Sequence, residues 1–326
     1  MDLRPLKDAE RLRLADVAEL YWVHGVKVEE IGERLHLSRS TISRMLAKAR
    51  QHGVIEFTVH RRVDRTAQLG PLLAARYGLA ATVVPVSEDA APGALLDTVA
   101  VRAAEQLTHH IGSDMVVSVA WGSTVEAISL HLTGRPTHGT RIVQLYGSVN
   151  VFSTGAGYAG QILERFGRAF GAAVHHFPTP AFFDSPHTRA AMWQERSAQR
   201  ILRLRARSDV LISSVGTLTS EYHGHLLRSG YLTSQEITGL LHQGVVGSLG
   251  AMFFRADGST TGIGINDRST GMPPAEIREI PTRFVVAADP AKAEALRAAI
   301  RAGLVSALVL DSRTAEALLR LEDDPG

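Results

Sequence analysis

The order of apolar and polar positions is helical at the start of the chain and then becomes an alternation of strands and helices. Leu14, Val17, Ala18 and Tyr21 recur at i, i+3, i+4 and i+7, which predicts an amphipathic helix ending near Gly25. Val28, Ile31 and Leu35 predict a short second helix, and Gly32 supplies a small residue where it crosses the next one. After a turn at His36-Leu37, Ser38 is a suitable N-cap for a third helix whose apolar stripe is Ile42, Met45, Leu46 and Ala49. Gly53, with Arg50 and His52 just ahead of it, closes that helix as a C′ residue. Residues 54–60 alternate and predict a strand, and 61–66 read as a linker.

From residue 67 onward the period changes. A short helix at 69–76 precedes strand-like runs at 82–86, 115–120, 141–146, 174–177, 210–215, 284–287 and 307–310. Helical patterns lie between most of them, at 95–111, 124–132, 158–170, 189–204, 291–302 and 314–321. Strands separated by such helices imply right-handed βαβ crossovers. The expected fold is therefore α/β: an N-terminal helix-turn-helix domain (1–60), the linker, and a doubly wound, mostly parallel α/β domain (67–326). Residues 252–254 and 261–265, around Ala256-Asp257-Gly258-Ser259, predict a β-hairpin added to that sheet.

Charge sharpens the reading of the first domain. The whole chain of 326 residues carries a net +2. Residues 34–65 hold eight basic residues against Glu56 and Asp64, a local +6, which leaves −4 for the rest. A basic segment on a mildly acidic body suits a nucleic-acid-binding module attached to something else. The third helix carries Arg39, Ser40, Thr41, Ser43 and Arg44 in its first turns, where a recognition helix meets base edges. Lys48 and Arg50, farther along, are placed for phosphates. The competing reading is a helical hairpin with a polar outer face.

Composition excludes other classes. The chain has no cysteine, so disulfides, thiolate zinc sites and cysteine nucleophiles are out, and a reducing, cytoplasmic setting is expected. No apolar run approaches the roughly eighteen residues of a membrane span, and no export signal is expected at the N-terminus. The His109-His110 and His175-His176 pairs alternate faces, so no metal is expected. Gly155, Gly157 and Gly160 spell the dinucleotide fingerprint, but after the third strand of the domain and without a carboxylate placed for ribose. No cofactor is expected.

Three loops carry the chemistry that remains. Val119-Ala120-Trp121-Gly122-Ser123-Thr124, Gln144-Leu145-Tyr146-Gly147-Ser148 and Ser213-Ser214-Val215-Gly216-Thr217 each run from a strand through glycine into hydroxyl residues. Close backbone approach and free N–H groups at a helix start suit a phosphate or carboxylate.

The helix-turn-helix, followed by A-W-G-S-T, Q-L-Y-G-S, F-P-T-P-A-F, S-S-V-G-T, G-V-V-G-S-L-G-A-M-F-F-R-A-D-G and D-P-A-K-A-E-A-L-R-A-A-I-R-A-G-L-V-S-A-L-V-L-D, resembles the SorC family of sugar-responsive transcriptional regulators over nearly the whole chain. The resemblance implies a sensor domain akin to sugar-phosphate isomerases and deaminases that binds a phosphorylated sugar or polyol. It also implies a homo-oligomer, typically a tetramer, acting on double-stranded operator DNA. Carried across by motif, Gly122, Ser123 and Thr124 match one phosphate-proximal loop, Gly147 and Ser148 a second, and Gly216 a third. Lys292 matches a phosphate-binding lysine. Ser248 stands where the family commonly has an acid for sugar hydroxyls. An isomerase- or deaminase-like enzyme, or a nicotinamide-sensing regulator, with an appended helix-turn-helix is the alternative. An enzyme would need a general base, for which Glu126, Asp184 and Asp267 are near in sequence.

Overall fold

The computed structural model describes residues 8–55, 65–150, 152, 156–218, 226 and 230–323. The chain divides into two compact units, Met1–Val63 and Asp64–Gly326.

In the first unit, α1 (Asp8–Ala18) runs into a π-helical turn at Glu19–Val23, then α2 (Val28–Leu35) and α3 (Arg39–Gln51) follow. Val17, Ile31, Ile42 and Leu46 make its core. The π turn inserts an extra residue per turn and rotates the stripe, so Leu20 and Trp22 pack inward while Tyr21, expected on the apolar face, is exposed. Of the strand expected at 54–60, Val54 and Ile55 form a bend that packs on α1 and α3, and 56–60 lie outside the described residues.

The second unit is a parallel sheet in the order β1-β9-β8-β5-β2-β3-β4, wrapped by helices. Its strands are β1 (Ala80–Val84), β2 (Val116–Val119), β3 (Arg141–Gln144), β4 (Ala173–His175), β5 (Val210–Thr217), β8 (Thr282–Ala287) and β9 (Ala307–Asp311). Central strands β2 and β9 are buried at every position, as strands covered on both faces must be, whereas edge strands β1 and β4 are partly open. The covering helices include α4 (Arg65–Tyr77), α5 (Pro92–His110), α6 (Ser123–Leu130), α7 (Ala156–Phe170), α8 (Pro186–Met192) and α9 (Arg196–Arg205).

Three expectations are corrected. Arg65 and Thr66 already belong to α4 rather than to a linker, and 61–64 lie outside the described residues. The single helix expected at 189–204 is two helices, broken where Trp193 turns in against Phe177 and Phe183 at ring distances of 5.8 and 6.0 Å. The hairpin is β6 (Val245–Leu249) with β7 (Met252–Arg255), and residues 264–268 form a 3₁₀ turn instead of its second strand. Gly250 and Ala251 are both left-handed, φ +56° and +65°, the geometry that turns a twisted antiparallel pair in two residues. β6 attaches this hairpin antiparallel to the far end of β5, with Gly216 opposite Ser248.

Candidate functional site

The crevice of the second unit lies at the carboxyl ends of three adjacent parallel strands, β8, β5 and β2. β2 leads through Trp121 to Gly122, whose φ of +133° favours glycine, and Gly122 is the N-cap of α6. A glycine cap has no side chain to accept a bond, so the first N–H groups of α6 have no side-chain acceptor there. They point with the positive end of the helix dipole toward the crevice, together with the Ser123 and Thr124 hydroxyls.

Lys292 arrives from the loop after β8. Asp289, at φ +149°, accepts a hydrogen bond from the Ala291 N–H at 2.9 Å and caps the 3₁₀ turn Pro290–Lys292. That turn ends on Lys292, the N-cap of a helix at Ala293–Arg301, rather than placing it inside the helix. Its Nζ donates to Thr124 Oγ1 at 3.3 Å and to Ser214 Oγ of β5 at 3.4 Å. Burial lowers the pKa of this ammonium below the ordinary lysine value, and the charges of Asp289 and Asp311 oppose the shift. Its hydrogen-bond acceptors among the described residues are two neutral hydroxyls, and the two carboxylates act on it only from farther away.

The crevice holds a cavity of about 90 Å³, with Trp121, Tyr146, Ser213, Ser214, Ser248 and Lys292 among its walls. Trp121 and Tyr146 lie 4.7 Å apart and satisfy each other's surroundings: the indole N–H donates to the Tyr146 carbonyl, and the Tyr146 hydroxyl to the Trp121 carbonyl. Their rings are thus left as apolar wall. Ser123, Thr124 and Lys292 are shared with a wider cleft of about 560 Å³ reaching Pro92, Leu96 and Arg313.

Of the residues expected from sequence, Gly122, Ser123, Thr124, Gly216, Ser248 and Lys292 line the cavity. Gly147 and Ser148 do not. The Gly147 N–H donates to Thr270 Oγ1 at 3.0 Å, and a Cβ there would stand 2.2 Å from the Thr179 carbonyl, so this loop is pinned into the body of the unit. The Ser148 hydroxyl accepts from the Gln144 amide at 3.2 Å and opens on a separate cavity with Arg165 and His176. Tyr146 takes their place, and Ser214, part of the third loop but not assigned to the effector from sequence, adds a hydroxyl. Glu126, Asp184 and Asp267 are absent from the cavity lining; Glu126 accepts instead from the Tyr158 hydroxyl at 2.9 Å. Gly157 and Gly160 of the fingerprint sit within α7, and Gly155 lies outside the described residues.

In the first unit α2 and α3 meet across a turn in which Leu37 N–H donates to Gly32 O at 2.8 Å. A Cβ on Gly32 would approach the Leu37 carbonyl to 2.7 Å, so the turn itself requires glycine. Ser38 caps α3 by accepting from Thr41 N–H at 3.2 Å, and its hydroxyl also meets those of Ser40 and Thr41. At the other end Val54 N–H bonds Ala49 O and Gly53 N–H bonds Arg50 O, a Schellman closure around Gly53 at φ +63°. Arg39, Ser40, Ser43, Arg44 and Arg50 are exposed, with Thr41 and Lys48 half-buried. Arg39 pairs with Glu29 at 3.1 Å and Lys48 with Glu10 at 2.5 Å, so two of the expected DNA contacts are held by carboxylates in the free protein. Arg44 donates to the Ser40 carbonyl at 3.2 Å.

A helix-turn-helix joined to an α/β unit with an anion-seeking crevice defines a DNA-binding protein with a ligand-sensing body. Comparison with known proteins makes this specific. The family described as "Putative sugar-binding domain" matches residues 61–320, and the helix-turn-helix of "Sigma-70, region 4" matches residues 11–52. The chain belongs to this "Putative sugar-binding domain" family. It is 27% identical over 96% of its length to the deoxyribonucleoside regulator of Bacillus subtilis, covering 99% of that protein. Among solved structures, a domain of a possible sugar-binding transcriptional regulator from Arthrobacter aurescens matches with 40% identity and a TM-score of 0.75, over 79% of this chain and 99% of that one. The full-length sorbitol operon regulator SorC from Klebsiella pneumoniae shares the fold at 20% identity and a TM-score of 0.71, over 96% of this chain and all of that one. No described helix is long and apolar enough to cross a membrane.

Proposed function

We propose that the protein is a cytoplasmic transcriptional regulator of a sugar or polyol catabolic operon, controlled by a phosphorylated sugar or polyol. Residues 1–60 bind operator DNA through α3, and 67–326 bind the effector and form a homo-oligomer, a tetramer by analogy with the family. The observation that carries the effector class is Lys292 Nζ, desolvated between the Thr124 and Ser214 hydroxyls at the N-terminus of α6. A phosphate completes that arrangement: it accepts from Lys292, from the hydroxyls and from free N–H groups at once. Binding rather than catalysis is favoured by a described lining that offers donors and a cation in place of a carboxylate or imidazole base.

The test is a thermal-shift screen of the full chain against phosphorylated and unphosphorylated sugars and polyols. A specific phosphate ester at a hundred times its Kd adds roughly 2.7 kcal/mol of stability. Equal responses to an ester and its parent sugar would overturn the phosphate assignment.

A further inference from the structure

The second unit buries an arginine that the effector crevice does not use. Arg205, in the last turn of α9, is 2% exposed. Its Nη1 donates to the Leu145 carbonyl at 2.7 Å and the Thr270 carbonyl at 2.8 Å, and the guanidinium lies 5.6 Å from the Phe177 ring centroid. No carboxylate is paired with it among the described residues, and its buried Nε–H has no acceptor. Burial pulls its pKa down to about 10, with the more distant charge of Glu276 opposing.

Arg205 is one wall of a cavity of about 340 Å³ between α8, α9 and the segment 271–276, which shares no lining residue with the crevice. Arg189 and Arg203 line the same cavity, with Glu276 as the acid and Trp193 as an aromatic wall. Arg189 repeats the pattern of Arg205. It donates to the Asn266 and Ser269 carbonyls at 3.3 and 3.1 Å, its Nε–H lacks an acceptor, and it stands 5.8 Å from the Trp193 centroid. Arg203 is exposed and bonds Gln199 at 3.1 Å. Three guanidiniums against one carboxylate leave the cavity positive. Taking charge out of water is costly unless a counter-charge is supplied, and carbonyl dipoles supply it only in part.

We propose that this cavity is a second anion-binding site, which takes the oxyanion of a small metabolite between Arg189, Arg203 and Arg205 with its carbon part against Trp193. Guanidinium forks match both phosphate and carboxylate, so the shared ligand chemistry is an oxyanion. The Arg205 guanidinium that lines this site also holds the carbonyl of Leu145 through Nη1, next to Tyr146 of the effector crevice, so an occupant here acts on a group bonded one residue from the first site.

The experiment uses the full-length Lys292→Ala chain, which removes the ammonium of the effector crevice, titrated calorimetrically with inorganic phosphate and separately with malonate. The expected result is that at least one still binds and quenches tryptophan fluorescence, with the tighter of the two showing whether phosphate esters or carboxylates are preferred. Arg203→Ala and Arg189→Gln, each in the Lys292→Ala background, then weaken binding roughly tenfold or more, and Trp193→Phe removes the fluorescence change. Arg203→Ala changes an exposed side chain, so it decides the matter if Arg189→Gln does not fold. Loss of all phosphate and malonate binding in Lys292→Ala overturns the proposal, as does unaltered affinity in the folded arginine variants.

Discussion

Lys292 Nζ lies 3.3 Å from Thr124 Oγ1, a hydrogen bond between residues 168 positions apart in sequence. It joins the loop after β8 to the start of α6 across β5, so the charge and the helix dipole converge on one point. The first prediction follows from this convergence. A charged hydrogen bond of this kind is worth about 1.5–3 kcal/mol. Lys292→Ala should weaken effector binding by that amount and leave effector-free DNA binding intact. Calorimetry checks the first expectation and gel-shift titration the second.

The lowered pKa of Lys292 sets the sign of a pH effect. Its folded value lies below the unfolded one, so the folded state binds fewer protons between the two and stability rises with pH through that alkaline window. Effector affinity runs the other way: as Lys292 loses its proton, the phosphate loses its partner. Affinity should therefore fall at a pH below the ordinary lysine value, and Lys292→Arg should move that fall upward. A calorimetric pH series checks both.

DNA recognition by α3 is the third expectation. Arg39→Ala and Arg44→Ala should each weaken specific binding by roughly 1–3 kcal/mol, whereas Arg50→Ala should lower affinity on all sequences and flatten the salt dependence. Because Arg39 must leave Glu29 to reach a base, Glu29→Gln should tighten binding. Gel shifts at several salt concentrations on an operator selected from random duplexes separate these effects.

Gly32→Ala places a methyl group against a backbone carbonyl that cannot rotate away. Overpacking of this kind costs about 1–3 kcal/mol. Hydrogen exchange should show lost protection across 28–51 with the second unit unchanged, and DNA affinity should fall in step.

Ser248 is buried, lines the same cavity as Lys292 and faces Gly216 across the β5–β6 pair. A carboxylate accepts from two adjacent hydroxyls, whereas serine offers one neutral group. The effector should accordingly be short, less hydroxylated at that end, or doubly anionic. Ser248→Asp should shift preference toward monophosphorylated polyols in a competition series of sugar phosphates. An unchanged ranking would contradict this.

The alternation of apolar runs was enough to read the parallel sheet, because strands buried on both faces leave a strong signature. β9, apolar from Ala307 to Leu310, is the clearest case. The β6–β7 hairpin was misplaced because its turn rests on Ala251 in a left-handed conformation that its residue type does not advertise. The helix at Ser234–His242 was missed although Thr233 and Glu236 form a capping box, since its apolar stripe is short. In the site, Lys292 and the Gly122 loop were legible as local patterns. Gly147 and Ser148 form an equally suitable local pattern, and what keeps them out of this cavity's lining is tertiary: Gly147 N–H bonds Thr270, and the Ser148 hydroxyl bonds Gln144 and opens on another cavity.

The most direct test of the central claim is linkage between the two units in the intact chain. Operator affinity is measured by gel-shift titration with and without the sugar phosphate that gives the largest thermal shift, for the native protein and for Lys292→Ala. A ligand that regulates must bind one conformation better than another, so operator affinity should change with the ligand, and ligand affinity should change by the same factor with operator present. In Lys292→Ala the change should require a correspondingly higher ligand concentration. Operator affinity indifferent to a ligand that demonstrably binds the second unit would contradict the account.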